Sequence, residues 1–192
     1  MALAIVGAMS KTKAKAKVVS SRVVFRGPVF YVTSDEVREP GGITSRRDVV
    51  RHQGSVVIMA VDDSGKEPRV LLARQYRHAV ESYLWELPAG RIDEGENALT
   101  AAKRELNEET GYTAQRWKRA LFFWVSPGFL DETMSVYLAT GLNRGKASPE
   151  EDENIALRFF PLSQAAKMAM RGGFRDAKTI ASILWLDRQA GD

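Results

Sequence analysis

Gly90-Arg-Ile-Asp-Glu-Gly-Glu96-Asn-Ala-Leu-Thr-Ala-Ala-Lys-Arg104-Glu105-Leu-Asn-Glu108-Glu109-Thr-Gly111-Tyr112 decides the reading of this chain. Three of its carboxylates, Glu105, Glu108 and Glu109, stand at i, i+3 and i+4, positions that share one face of a helix. Like charges at that spacing repel, so helix stability alone does not account for them. A hard divalent cation removes the penalty by taking the carboxylate oxygens as ligands. The flanking residues predict a loop-helix-loop. Pro88-Ala89-Gly90 stops a strand, and Gly90 allows a turn closed to other residues. Asn97 is a candidate N-cap, and Ala98 to Thr110 are mostly good helix formers. Leu99, Ala102 and Leu106 repeat at i, i+3 and i+7 and face a core, and Gly111 ends the helix. Arg104 can pair with Glu108 or reach back to Glu96, which makes Arg104 and Glu96 orienters of the metal carboxylates.

These residues fill every position of the pattern G-x5-E-x7-R-E-U-x-E-E-x-G-U, where U is aliphatic or aromatic. The chain therefore resembles the Nudix hydrolases. The resemblance implies an α/β/α sandwich with a mixed central sheet and hydrolysis of a nucleoside diphosphate linked to another group. It also implies Mg2+, with Mn2+ able to substitute, held by Glu105, Glu108, Glu109 and the backbone carbonyl of Ala89.

Outside that segment, four features resemble the ADP-ribose pyrophosphatase branch: Arg74-Gln75-Tyr76-Arg77, Trp85-Glu86-Leu87-Pro88, Ser126-Pro127-Gly128-Phe129 with Asp131-Glu132, and Glu150-Glu151-Asp152-Glu153. Arg77 offers a planar fork for phosphate oxygens, its other reading being a surface salt bridge. The resemblance makes Glu86 an acceptor from ribose or base; it could equally be the charge partner of Arg77. Phe129 and Glu132 are expected to help orient the substrate. The catalytic set is then Glu153 as the base that takes a proton from water, with Glu108 and Arg104. Glu151 is the fallback base, and a solvated acidic loop the plainer reading of that run. His52 and His78 show no metal spacing.

The implied reaction is conversion of ADP-ribose to AMP and ribose 5-phosphate. GDP-mannose or another nucleotide sugar remains an alternative, as do a triphosphatase and a non-catalytic nucleotide-sensing module. Members of this branch are homodimers that exchange N-terminal strands, a role open to Val23 to His52. The aromatic that stacks on adenine in relatives is not identifiable here.

The chain has 192 residues, enough for one core of ordinary size. Its lack of cysteine excludes disulfides, thiolate metal sites and cysteine nucleophiles, and is compatible with the cytoplasm. The net charge of +4 belongs to the N-terminus. Lys11, Lys13, Lys15, Lys17, Arg22 and Arg26 precede the first acidic residue, and the remainder of the chain is slightly acidic. Residues 1–20 are read as a solvated tail, with no nucleic-acid or membrane partner expected, and 21–192 as the catalytic domain. Within it, 21–53 form a small β extension used in dimerisation.

Further expected strands are Ser21 to Val32, Asp48 to His52, Gly54 to Val61, Arg69 to Tyr76, Tyr83 to Leu87, Leu121 to Val125, Met134 to Ala139 and Ala156 to Phe160. Gly54 to Val61 is apolar enough to be buried on both faces. Ser163 to Met170 and Asp176 to Asp187 read as helices capped by Ser163 and Asp176.

Overall fold

The computed structural model describes residues 15–145 and 155–190. The chain divides into two compact units, Met1–His52 with Ser126–Asp131, and Gln53–Val125 with Glu132–Asp192.

The first unit is an antiparallel three-stranded sheet, β1 (Lys17–Arg26), β2 (Tyr31–Arg38) and β3 (Thr44–Arg51), in that order. The strand expected over Ser21 to Val32 is broken in two, because Gly27-Pro28 turns the chain and the Gly27 amide donates to Phe30 O at 2.9 Å. β1 takes in Lys17 to Ser20, which the sequence assigns to the tail. Ser126–Asp131 is stitched to β3: Val50 N donates to Phe129 O at 2.8 Å, and Asp131 N donates to Val50 O at 3.1 Å.

The second unit is built on a seven-stranded mixed sheet. Its path runs β10 (Ala156–Pro161), β5 (Arg69–Arg77), β4 (Ser55–Asp62), β9 (Thr133–Arg144), β8 (Tyr112–Trp124). Along that path only β4 and β9 are parallel. β4 is buried along nearly its whole length, as its apolar run requires. Its alternate residues enter two different cores. Val56, Ile58 and Ala60 join Ala101, Ala102 and Leu106 of α1 (Ala98–Thr110) on one face. Val57, Met59 and Val61 join α2 (Leu162–Met170) and α3 (Ala177–Ala190) on the other. Strand periodicity of two thus yields the three-layer α/β/α sandwich. Each fully buried aliphatic side chain contributes about 1.5–3 kcal/mol.

β8 is far longer than the expected Leu121 to Val125. Gln115, Arg116, Lys118 and Arg119 are exposed along this edge strand, so an apolar-run criterion finds only its end. Among the helix caps, Asn97 accepts from Thr100 N at 3.0 Å, Gly111 takes a left-handed conformation (φ 70°), and Asp176 accepts from Thr179 N at 3.0 Å. Ser163 is not a cap. Pro161 holds that position without a side-chain bond, and the Ser163 amide donates instead to Glu67 Oε1 at 3.0 Å.

The main sheet opens where it matters. β4 and β5 pair only at Val61–Val70 and Asp62–Arg69, then diverge. Into the gap go β6 (Ser82–Glu86), which pairs with β5, and β7 (Ala89–Arg91), which pairs with β4. Pro88 O between them accepts from Ile58 N at 2.8 Å. The Glu86-Leu87-Pro88-Ala89-Gly90 segment is therefore fixed by strands on both sides.

Candidate active site

α1 lies over this wedge, and its carboxylates meet the Ala89-Gly90 backbone. Gly90 has no positive φ, so the turn expected of it is not why it is glycine. A Cβ there would lie 1.9 Å from Glu105 Cδ and 2.1 and 2.2 Å from its two oxygens. Only a residue without a side chain lets Glu105 sit so close to the loop. One helical turn on, Glu109 is 7% exposed and its Oε2 accepts from Ala89 N at 3.2 Å. Glu108 is the most exposed of the three, and Arg104 Nη1 bridges Glu105 Oε1 at 2.8 Å and Glu108 Oε2 at 3.0 Å.

Arg104 is the hub that relieves the repulsion among these acids. Its Nε and Nη2 bind Glu96 at 3.2 and 2.9 Å, and Nη2 also donates to Arg91 O at 3.0 Å. Its bonds to Glu96, Glu108 and Glu105 outweigh its partial burial and raise its pKa, so it remains a fixed cation. Its hydrogen bond in turn holds the Glu96 carboxyl below the usual range. Both pairings expected of Arg104, forward to Glu108 and back to Glu96, are present together.

Among the described residues, no three acidic or imidazole side chains converge on one point. The set nonetheless fits a hard cation. The donors are carboxylates, two of them pressed against the Ala89-Gly90 backbone, and Gly90 has no Cβ to push the Glu105 carboxylate away from the loop.

Arg77 and Glu86 form a bidentate pair, Nε to Oε1 at 2.8 Å and Nη2 to Oε2 at 3.0 Å. The structure pairs Glu86 with Arg77, as the plainer of its two readings expects. Glu86 is 2% exposed, and its Oε2 also receives Lys178 Nζ from α3. Burial acts to raise the Glu86 pKa, but the Arg77 bond and the Lys178 charge prevail and lower it. The hydrogen bond to Glu86 raises the Arg77 pKa against its burial, and the charge of Glu109 on α1 adds to this. Sequence reading missed Lys178, which lies 92 residues from its partner and in no motif.

Glu132 accepts from Ser55 Oγ at 2.7 Å at the start of β4, where Ser55 also pairs with Arg91 of β7. That puts Glu132 at the loop end of the sheet. Phe129 belongs to the N-terminal unit, where its side chain is exposed, and neighbouring Asp131 binds Arg51 Nη1 at 3.1 Å and the His52 amide at 2.8 Å. Glu150, Glu151, Asp152 and Glu153 lie outside the described residues, as do residues 1–14.

The NUDIX domain family matches residues 51–183. An ADP-ribose pyrophosphatase of Mycobacterium tuberculosis (strain ATCC 25618 / H37Rv) is 41% identical over 170 residues, covering 86% of this chain and 80% of that one. An ADP-ribose pyrophosphatase of Bacillus subtilis (strain 168) is 36% identical over 172 residues, covering 88% and 91%. A solved ADP compounds hydrolase superposes with a TM-score of 0.80 at 23% identity, covering 94% of this chain and 96% of its own, which supports the fold. With the signature of α1 complete and the family matched over most of its length, this chain belongs to the Nudix family.

Proposed function

We propose that the protein hydrolyses the pyrophosphate bond of a nucleoside diphosphate sugar, with ADP-ribose as the preferred substrate and AMP and ribose 5-phosphate as products. The observation that carries this reading is the clamp of Glu105 over Gly90 and of Glu109 on the Ala89 amide, with Arg77 within electrostatic reach. The names of the two pyrophosphatases, each more than a third identical to this chain, support the substrate class.

Glu105, Glu108, Glu109 and the Ala89 carbonyl would hold the divalent cation, Mg2+ or in its place Mn2+. Bound there, it supplies positive charge to the phosphate oxygens and acidity to a water. The chain's own residues do the rest. Arg77 binds phosphate through Nη1, which has no hydrogen bond among the described residues because Nε and Nη2 are fixed on Glu86. Arg104 Nη1 holds Glu105 and Glu108 in place by donating to both. Glu132, held by Ser55, offers an acceptor to the sugar hydroxyls. Glu153 takes the proton of the attacking water, whose oxygen joins one phosphorus as the bridging P–O bond breaks. The homodimer is likewise proposed, since β1 is exposed along its whole length with Val18, Val19, Val23, Val24 and Phe25 in the open.

The test is release of AMP or GMP from ADP-ribose, GDP-mannose, NADH and diadenosine polyphosphates with Mg2+. A kcat/KM for ADP-ribose about tenfold above the others, or about 1.4 kcal/mol, is the expected result. Preference for GDP-mannose would overturn the substrate while keeping the site. No turnover of any of them would overturn the reaction.

A further inference from the structure

We infer that Lys178 and Asp176, at the start of α3, are positioning residues that set the phosphate-binding charge of Arg77 through Glu86. The inference rests on the proposed assignment of Arg77 to phosphate.

Four charges of alternating sign run across the wedge: Asp176, Lys178, Glu86, Arg77. Lys178 is 8% exposed and its Nζ lies between Glu86 Oε2 and Asp176 Oδ1, the latter at 3.0 Å. An ammonium so buried is tolerated only when carboxylates offset its lost hydration, and here two do. The same turn of α3 also grips the backbone. Asp176 Oδ2 accepts from Thr179 N at 3.0 Å and from Thr179 Oγ1 at 2.5 Å, and Thr179 Oγ1 accepts from Leu87 N at 2.9 Å. One helical turn thus fixes the Glu86 side chain and the Leu87 main chain, two residues ahead of Ala89.

The consequence for Arg77 is electrostatic. Alone, the buried Glu86 carboxylate would neutralise Arg77 and compete with a phosphate for its guanidinium. Lys178 shares that carboxylate, taking Oε2 together with Arg77 Nη2. The guanidinium keeps more of its charge for an anion while its plane remains held by the bidentate bond. A buried ion pair serving the fold alone would not need to share the carboxylate oxygen that an arginine already binds. It would also have no effect on phosphate affinity.

The experiment is a double-mutant cycle on the full chain, Lys178→Met and Arg77→Met, singly and together, read in two ways. KM and kcat for ADP-ribose are measured with Mg2+, and AMP affinity is measured by calorimetry in EDTA. Lys178→Met is expected to raise KM and the AMP Kd by about tenfold with kcat within about threefold, the scale of one hydrogen bond to a charged group. In the Arg77→Met background it is expected to add nothing. Effects that multiply, or a lowered Tm with KM and Kd unchanged, would make Lys178 a structural residue and overturn the inference. Wild-type binding and turnover by Arg77→Met would instead overturn the assignment of Arg77. If Lys178→Met does not fold, Asp176→Asn takes its place, since its amide oxygen still caps α3 while its grip on Lys178 weakens. A KM rise that disappears in Arg77→Met is again the expected result.

Discussion

Gly90 lies under the Glu105 carboxylate so closely that the two could not coexist if residue 90 had a β-carbon. The contact joins the strand wedge to the acidic face of α1. Gly90→Ala must displace either the loop or Glu105, at about 1–3 kcal/mol of strain. A shift of about 1 Å at a reacting group costs on the order of 100-fold in rate. The expected outcome is a kcat/KM loss of that size, with a smaller rise in Tm on adding Mg2+ than in the wild type. Wild-type kinetics would show that Glu105 is not needed where it stands.

Glu109→Gln separates charge from structure. Glutamine can still accept from the Ala89 amide, as Glu109 Oε2 does at 3.2 Å, so folding should be nearly unaffected. It cannot supply an anionic ligand, and kcat is expected to fall by about 1000-fold, on the order of one lost charge-stabilising group. Leu106→Ala is the counterpart. Leu106 is fully buried between α1 and the sheet, so its loss should cost about 2–5 kcal/mol. Its kcat per folded molecule should stay near wild type. Thermal melts alongside initial rates distinguish the two; turnover by Glu109→Gln at the wild-type rate would remove Glu109 from the metal set.

The Glu86 carboxyl predicts a pH dependence. It is faced by Arg77 from β5 and Lys178 from α3, with Asp176 behind Lys178. Because its folded pKa is lowered from an ordinary 4.5, the folded state binds fewer protons at this site than the unfolded state. Its stabilisation is therefore complete above about pH 5 and is lost as the pH falls through the lower folded value. Glu86→Gln should melt below wild type at pH 7, and the gap should narrow as pH drops under 4.5. Tm measured from pH 7 to pH 3 checks this. A gap constant over that range would mean that the charge of Glu86 contributes nothing.

Much of this was legible in the sequence because local chemistry dictated it. Asn97, Gly111 and the spacing of Ala102 and Leu106 fixed α1 to the residue, and the apolar run of β4 announced a doubly covered strand. Edges were harder, since the adjacent polar pairs Gln115-Arg116 and Lys118-Arg119 break the alternation of β8 and leave only its last residues reading as strand. Pairings between distant elements left no trace. Nothing about Lys178 or Thr179 suggests that they meet Glu86 and Leu87, because that meeting depends on how α3 packs against the wedge. The need for Gly90 is legible but its cause is not, since a close approach and a turn look alike in sequence.

β1 predicts an assembly. It pairs with β2 on one side only, and its other edge has no partner among the described residues. Val18, Val19, Val23, Val24 and Phe25 are each about half exposed or more. A long apolar edge strand of this kind invites pairing or aggregation unless charge, a bulge or another chain covers it. The two bulges, between Val18 and Ser20 and between Val23 and Phe25, twist the edge but leave its valines in the open. A second copy related by a two-fold axis would cover the same patch on both chains. Sedimentation of the 21.4 kDa chain should give about twice that mass. Val19→Glu with Val24→Glu should shift the species to the monomer, because two buried carboxylates without partners oppose association. A wild-type monomer at micromolar concentration, or a double variant that remains dimeric, would remove β1 from the interface.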